Sequence, residues 1–255
     1  MMGSRHEKLG IKQVIRLEWM DKVLSMLLAG MSEALIRQEI DEYLSTQKQS
    51  GGLGERGKKT YGMAIGVLSS WFSPDKNLIL FRNDALKLAR ELPKDKWLPL
   101  HWAVISAAYP FWFNVAKQVG RLLNLQDKIT QKQVFNRLKE QYGDRETVAR
   151  NARYTVRSFV AWGVLNDSDV KGCYAKGGTL SVSDYKEVIT LLESGLLSTK
   201  EGKSPLNVLL NSPSFFPFTM STVTGAFISQ NCMRINVARY GLDDEFLKLN
   251  EVSVK

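Results

Sequence analysis

The stretch TQKQVFNRLKEQYGDRETVARNARYTVR, residues 130–157, decides how this chain is read. Thr130 and Gln133 stand at capping-box spacing: the threonine hydroxyl accepts the amide three residues on, and the glutamine side chain reaches back to residue 130. A helix begins there, with Val134, Leu138 and Phe135 facing inward. Tyr142-Gly143-Asp144 ends it, because glycine supplies the C-terminal turn, and Asp144 is expected to cap the helix that follows. On this second helix Val148, Ala152, Val156 and Phe159 form one apolar stripe, while Glu146, Arg150, Arg153 and Arg157 recur on the opposite side. The pattern predicts a tight helix-turn-helix whose second helix shows a basic face to solvent.

What flanks the stretch adds to it. Val164-Leu165 and Cys173-Tyr174-Ala175 pair as two short strands around the turn 166–172, with Lys171 and Lys176 at the turn or its exit. Helix, turn, basic helix and strand-turn-strand follow in the order of a winged helix-turn-helix, at about residues 111–176. Arg145, Thr147, Arg150, Asn151, Arg153, Tyr154 and Arg157 are the candidate contacts of its recognition helix, and Lys171 and Lys176 those of the wing. Guanidinium forks and short polar groups suit phosphates and base edges. The plainer alternative is an amphipathic helix whose arginines only keep its outer face soluble.

Composition sets wider bounds. The chain has 255 residues, 44% of them apolar, enough for two modest domains or one large one. Thirty-five Lys and Arg against 26 Asp and Glu leave +9, which favours a polyanionic partner without choosing one. Position chooses: residues 128–157 hold eight Lys or Arg and three acids, a local +5 that is over half of the surplus. Cys173, Cys232, His6 and His101 are too scattered for a disulfide framework or a zinc site, so no metal or cofactor is expected and a reducing cytoplasm fits. The first residues lack the apolar run of a secretory leader. The apolar run 97–116 is interrupted by His101, Ser106 and Asn114 and broken by Pro99 and Pro110, so a buried helix pair is expected rather than a membrane span.

The fold class expected is mainly α: a helical bundle with winged helix-turn-helix elements and short β-hairpins. Residues 1–75 form an N-terminal helical region. Leu17, Met20, Val23, Leu24 and Leu27 define a helix up to Gly30; Ser32 caps a second helix with Leu35, Ile36, Ile40 and Tyr43; a loop over 45–57 leads to a third from Lys58 to Trp71. Helix, loop and helix here echo the order of the later motif. In the central region, 76–178, Leu78-Ile79-Leu80-Phe81 reads as a strand or a packed turn, with Asn83 or Asp84 opening a short helix. In the C-terminal region, 179–255, a helix from Asp184 to Ser194 is expected to close at Gly195. Ser204-Pro205 is expected to start another, and 233–237 with 246–249 to form a terminal hairpin.

Arg56, Lys58, Lys59 and Thr60 form a second, weaker centre, cations at the start of a helix that suit a phosphate. The spacing of Gly52 and Gly57-Lys58 nearly spells a P-loop, but Lys59 occupies the Ser/Thr position and a helix precedes the loop, so no ATPase is read. His101, beside Trp102, and Phe111-Trp112-Phe113 read as core.

The Arg56, Lys58, Lys59 and Thr60 cluster, the Leu98-Pro99-Leu100-His101-Trp102 block, the helix over 109–119 and the Arg150–Arg157 helix together resemble the A protein of BREX phage-defence systems, over roughly residues 20–200. The resemblance fades from about Leu206. It implies a helical protein with winged-helix-like parts, a non-enzymatic accessory that binds double-stranded DNA with little sequence preference. Other proteins of a defence complex are the implied alternative partners, with the winged helix acting as an interaction adaptor. No paired-acid or His-metal constellation points to an enzyme.

Overall fold

Apolar residues at helical spacing become helices throughout a computed structural model that describes residues 3–47, 57–240 and 244–250. After a short α1 (Gly3–Glu7), α2 (Leu17–Leu28) buries Trp19, Met20, Val23 and Leu24. Gly30, at φ +79°, turns the chain where a side chain would be strained. The Ser32 hydroxyl then accepts the Leu35 amide and starts α3 (Glu33–Ser45). The loop that follows lies largely outside the described residues, Arg56 included. α4 (Lys58–Phe72) ends at Ser73.

The run 78–81 is neither strand nor packed turn. A single 3-10 turn, Lys76–Leu78, leads directly into α5 (Ile79–Glu91), which begins well before Asn83. Leu78, Phe81, Ala85 and Leu88 are buried at helical spacing, while Ile79 and Leu80 point outward, so one face of a helix covers the core. α6 (Leu98–Ala108) and α7 (Pro110–Leu123) are the expected central pair. Pro99 and Pro110 sit in their first turns, where a missing amide costs nothing. Trp102 stacks on Phe159 at 5.0 Å between centroids and meets Trp112 and Phe216 edge-on at 5.6 and 5.7 Å. No described helix is long and apolar enough to cross a membrane.

From α7 the chain runs through β1 (Lys128–Thr130), α8 (Gln131–Tyr142), α9 (Glu146–Ala161), β2 (Leu165–Asp167) and β3 (Cys173–Lys176). The three strands form an antiparallel sheet in the order β1-β3-β2, with Ile129 opposite Tyr174 and Asn166 opposite Ala175.

Beyond it, β4 (Leu180–Val182) pairs in parallel with β6 (Phe218–Met220). α10 (Tyr185–Leu197) starts at the Asp184 cap but passes through Gly195 instead of closing there. A Cβ at 195 would press on Leu209 and Phe215, so this glycine serves close packing inside a helix. The expected short helix begins one residue later than Ser204-Pro205 predicts: Pro205 is the N-cap of α11 (Leu206–Leu210), while β5 (Lys203–Pro205) pairs with β8 (Asp244–Leu249). After α12 (Gly225–Asn231), β7 (Ile235–Tyr240) pairs with β8 as the expected hairpin, here the flank of a three-stranded sheet ordered β5-β8-β7. The turn residues 241–243 lie outside the described residues. Buried apolar residues form one continuous cluster from Ile11 to Leu247.

Candidate nucleic-acid interface

Local chemistry sets α8 and α9. The Thr130 hydroxyl accepts the Gln133 amide at 3.1 Å and the Thr130 amide donates to Gln133 Oε1 at 2.7 Å, the reciprocal capping box. Gly143, at φ +79°, ends α8 while its amide donates to the Lys139 carbonyl. Asp144 does not cap α9, contrary to expectation. Arg145 takes the N-cap position without a side-chain cap, because the backbone stays extended one residue longer and the Asp144 carboxylate pairs with Lys139 at 2.9 Å.

The rear of α9 is anchored in the core. Val148, Ala152, Val156 and Phe159 are buried, Phe159 against Trp102 and Trp112. The segment before α2 ties the same side down: the Ile15 amide donates to Ser158 Oγ at 2.9 Å, and Trp162 Nε1 donates to the Ile15 carbonyl at 3.0 Å. Arg145, Thr147, Arg150 and Arg153 remain exposed on the front, with Tyr154 half-buried beside them.

Asn151 departs from its expected place. It is only 6% exposed, its Nδ2 donates to the Thr147 carbonyl, and its Oδ1 has no partner among the described residues. Three residues after Val148 and four before Thr155, both buried, it belongs to the inner face. Arg157 is half-withdrawn too. Its guanidinium pairs with Asp167 of β2, binding α9 to the sheet; burial opposes its charge, and Asp167 together with Tyr174 more than offsets this and raises its pKa.

The remaining cations differ in how free they are. Arg150 has Glu146 at 3.7 Å, Arg145 donates to the Tyr142 carbonyl, and Arg153 lies 5.7 Å from the centroid of the Tyr154 ring with no carboxylate partner among the described residues. Lys171, in the turn two residues before β3, and Lys176, the last residue of β3, are exposed. Lys132, which the sequence stripe does not single out, lines a cleft of about 390 Å³ with Thr130, Phe135, Ala149, Lys171 and Gly172. Its signal in the sequence was its place beside the Thr130 cap.

Lys58 and Lys59 are exposed on the first turn of α4 after Gly57, and Thr60 is half-buried. They stand on a separate helix whose main contacts are with α2, α3 and α6. His101 is a core residue: wholly buried, it accepts from Trp71 Nε1 at 2.9 Å through Nδ1 and donates to Asp21 through Nε2 at 3.0 Å. Burial holds its pKa below the usual imidazole range despite Asp21. Among the described residues no three His, Cys, Asp or Glu gather as a metal group. Comparison with protein-family models, curated proteins and solved structures finds no match.

Proposed function

We propose that this chain is a non-enzymatic double-stranded DNA-binding protein that docks a winged helix-turn-helix on the duplex. The single observation behind this reading is the outer face of α9. Arg145, Thr147, Arg150 and Arg153 are exposed together on a helix whose opposite side is locked into the core. The order α7, β1, α8, α9, β2, loop, β3, with β3 central in its sheet, supports a winged helix, in which α9 is the recognition helix. A helix of this width fits the major groove of B-form DNA, whereas the deep, narrow groove of A-form RNA excludes it.

Docking is phosphate-dominated and weakly sequence-selective, since long cations outnumber short base-reading groups on this face. A place as an accessory in a cytoplasmic BREX-like phage-defence system rests on the resemblance carried by Leu98–Trp102 and the Arg150–Arg157 helix. Titration of two unrelated DNA duplexes and an RNA duplex of equal length tests the reading. Similar affinity for both DNAs, falling with salt and exceeding that for RNA, is expected; no binding to either DNA would reject it.

One observation favours a second reading, a protein-interaction adaptor. The tip of the β2–β3 loop exposes Asp169 and leaves Val170 63% exposed, a surface suited to a protein partner. Salt-insensitive capture of a partner, without a DNA shift, would select it.

A further inference from the structure

We infer that the cleft between α8 and the β2–β3 loop seats a single phosphate of the DNA backbone, held jointly by Lys132 and Lys171. This rests on the DNA-binding reading above and adds a contact point apart from the exposed arginines of α9. Both lysines line the cleft, no acidic residue does, and neither enters a salt bridge among the described residues. Two lysines at one cleft whose lining holds no carboxylate offer a phosphate complementary charge from two sides. By contrast Lys139, Arg150 and Arg157 each already have a carboxylate.

The backbone holds the two lysines in register. The Gln131 amide donates to the Gly172 carbonyl at 2.9 Å, fastening the loop exit to the start of α8. Gly172 makes this turn at φ +78°, and the Cys173 amide closes the loop on the Val170 carbonyl at 3.0 Å. The Gln131 and Gln133 amides are thus occupied, by Gly172 and by the Thr130 hydroxyl, so the side-chain ammonium groups supply the charge. Ala149 of α9 and the half-buried Phe135 form the walls, which places the cleft beside the arginine face of the same helix. A duplex lying on α9 brings its sugar-phosphate strand to this edge.

The test is a double-mutant cycle of Lys132→Gln and Lys171→Gln, read by fluorescence anisotropy with one duplex over a range of salt concentrations. Because both side chains are exposed, thermal unfolding should be unchanged. Each single variant is expected to weaken binding, and the second substitution to add less than about twofold. The slope of log affinity against log salt should fall by about 0.9 in the double variant, the signature of one phosphate. An unchanged slope while the wild type still binds would overturn the cleft alone. A fall of about 1.8 with multiplied losses would mean two separate contacts and would overturn the shared site. A wild type that binds no duplex would overturn the DNA reading and this inference with it. Inorganic phosphate, at ionic strength matched with chloride, should displace the duplex from the wild type more than from the double variant. Phosphate that shifts the NMR signals of both lysines while the duplex stays bound would assign the cleft to a free anion and overturn the backbone assignment.

Discussion

Arg234, in the turn before β7, joins two helices through one guanidinium: Nε and Nη2 donate to Glu193 of α10 at 2.5 and 2.8 Å, and Nη1 to Asp84 of α5 at 2.6 Å. Glu193 is 3% exposed, so Arg234→Ala would leave a buried carboxylate without its charged partner, the Cys232 thiol alone remaining at 3.6 Å. A loss of about 3–5 kcal/mol in urea unfolding is expected, and a loss below about 1 kcal/mol would show the pair to be dispensable. Glu187 poses the opposite problem. It is buried, its Oε1 has no partner among the described residues, and burial, then the Asp184 charge, push its pKa up to about 7 against the opposing pull of Lys96. Since the folded pKa lies above the ordinary 4.5, this group favours folding fully below 4.5, and that contribution is lost as pH rises through 7. Glu187→Gln should therefore raise the melting temperature at pH 8 by an amount on the order of 5 °C and change it little at pH 4.5. Equal shifts at both pH values would contradict the burial of an ionisable carboxyl.

Among the elements, α8 and the β2–β3 hairpin show how much their neighbours control. Thr130→Ala removes the cap of α8 and should cost about 1 kcal/mol, measured by thermal unfolding. Arg157→Ala should free the hairpin from α9, speeding amide exchange in β2 and β3 on the order of 2–5-fold, while changing the salt slope of DNA binding less than Arg153→Ala does. The reverse order would make Arg157 a direct contact rather than a positioning residue. Elements whose signals lie within a few residues were legible from sequence: the Ser32 and Thr130 caps, the Gly30 and Gly143 turns, and the apolar stripe of α9. The start of α5 was available too, in the spacing of Leu78, Phe81, Ala85 and Leu88, but a four-residue apolar run hides its period. β5 was not legible, because Lys203–Pro205 becomes a strand only by meeting Phe246–Lys248, some forty residues on. Nor was the passage of α10 through Gly195, which answers to Leu209 and Phe215. At the candidate site the exposed arginines were readable from period alone. The retreat of Asn151 was readable as well, since it stands three residues after Val148 on the apolar stripe; that of Arg157 was not, because it depends on where Asp167 lands.

Over the whole molecule, the arrangement separates a rigid interior from one charged edge. The central tryptophans and Phe159 hold the rear of α9, and Ile15, far away in sequence, fastens Ser158 and Trp162. The helix proposed to meet DNA is thus preformed, so binding would not need to order it and a loss on mutation would report contacts rather than folding. The local surplus of eight cations over three acids in residues 128–157 gives that edge its field, which salt should screen. The most direct measurement is the salt slope of duplex binding for the wild type and for the Arg150→Ala/Arg153→Ala variant. Both side chains are exposed, so the variant should stay folded by circular dichroism. Its affinity should drop and its slope should fall by about 1.8, the equivalent of two phosphates. An unchanged affinity and slope in the folded variant would contradict α9 as the DNA-contacting surface.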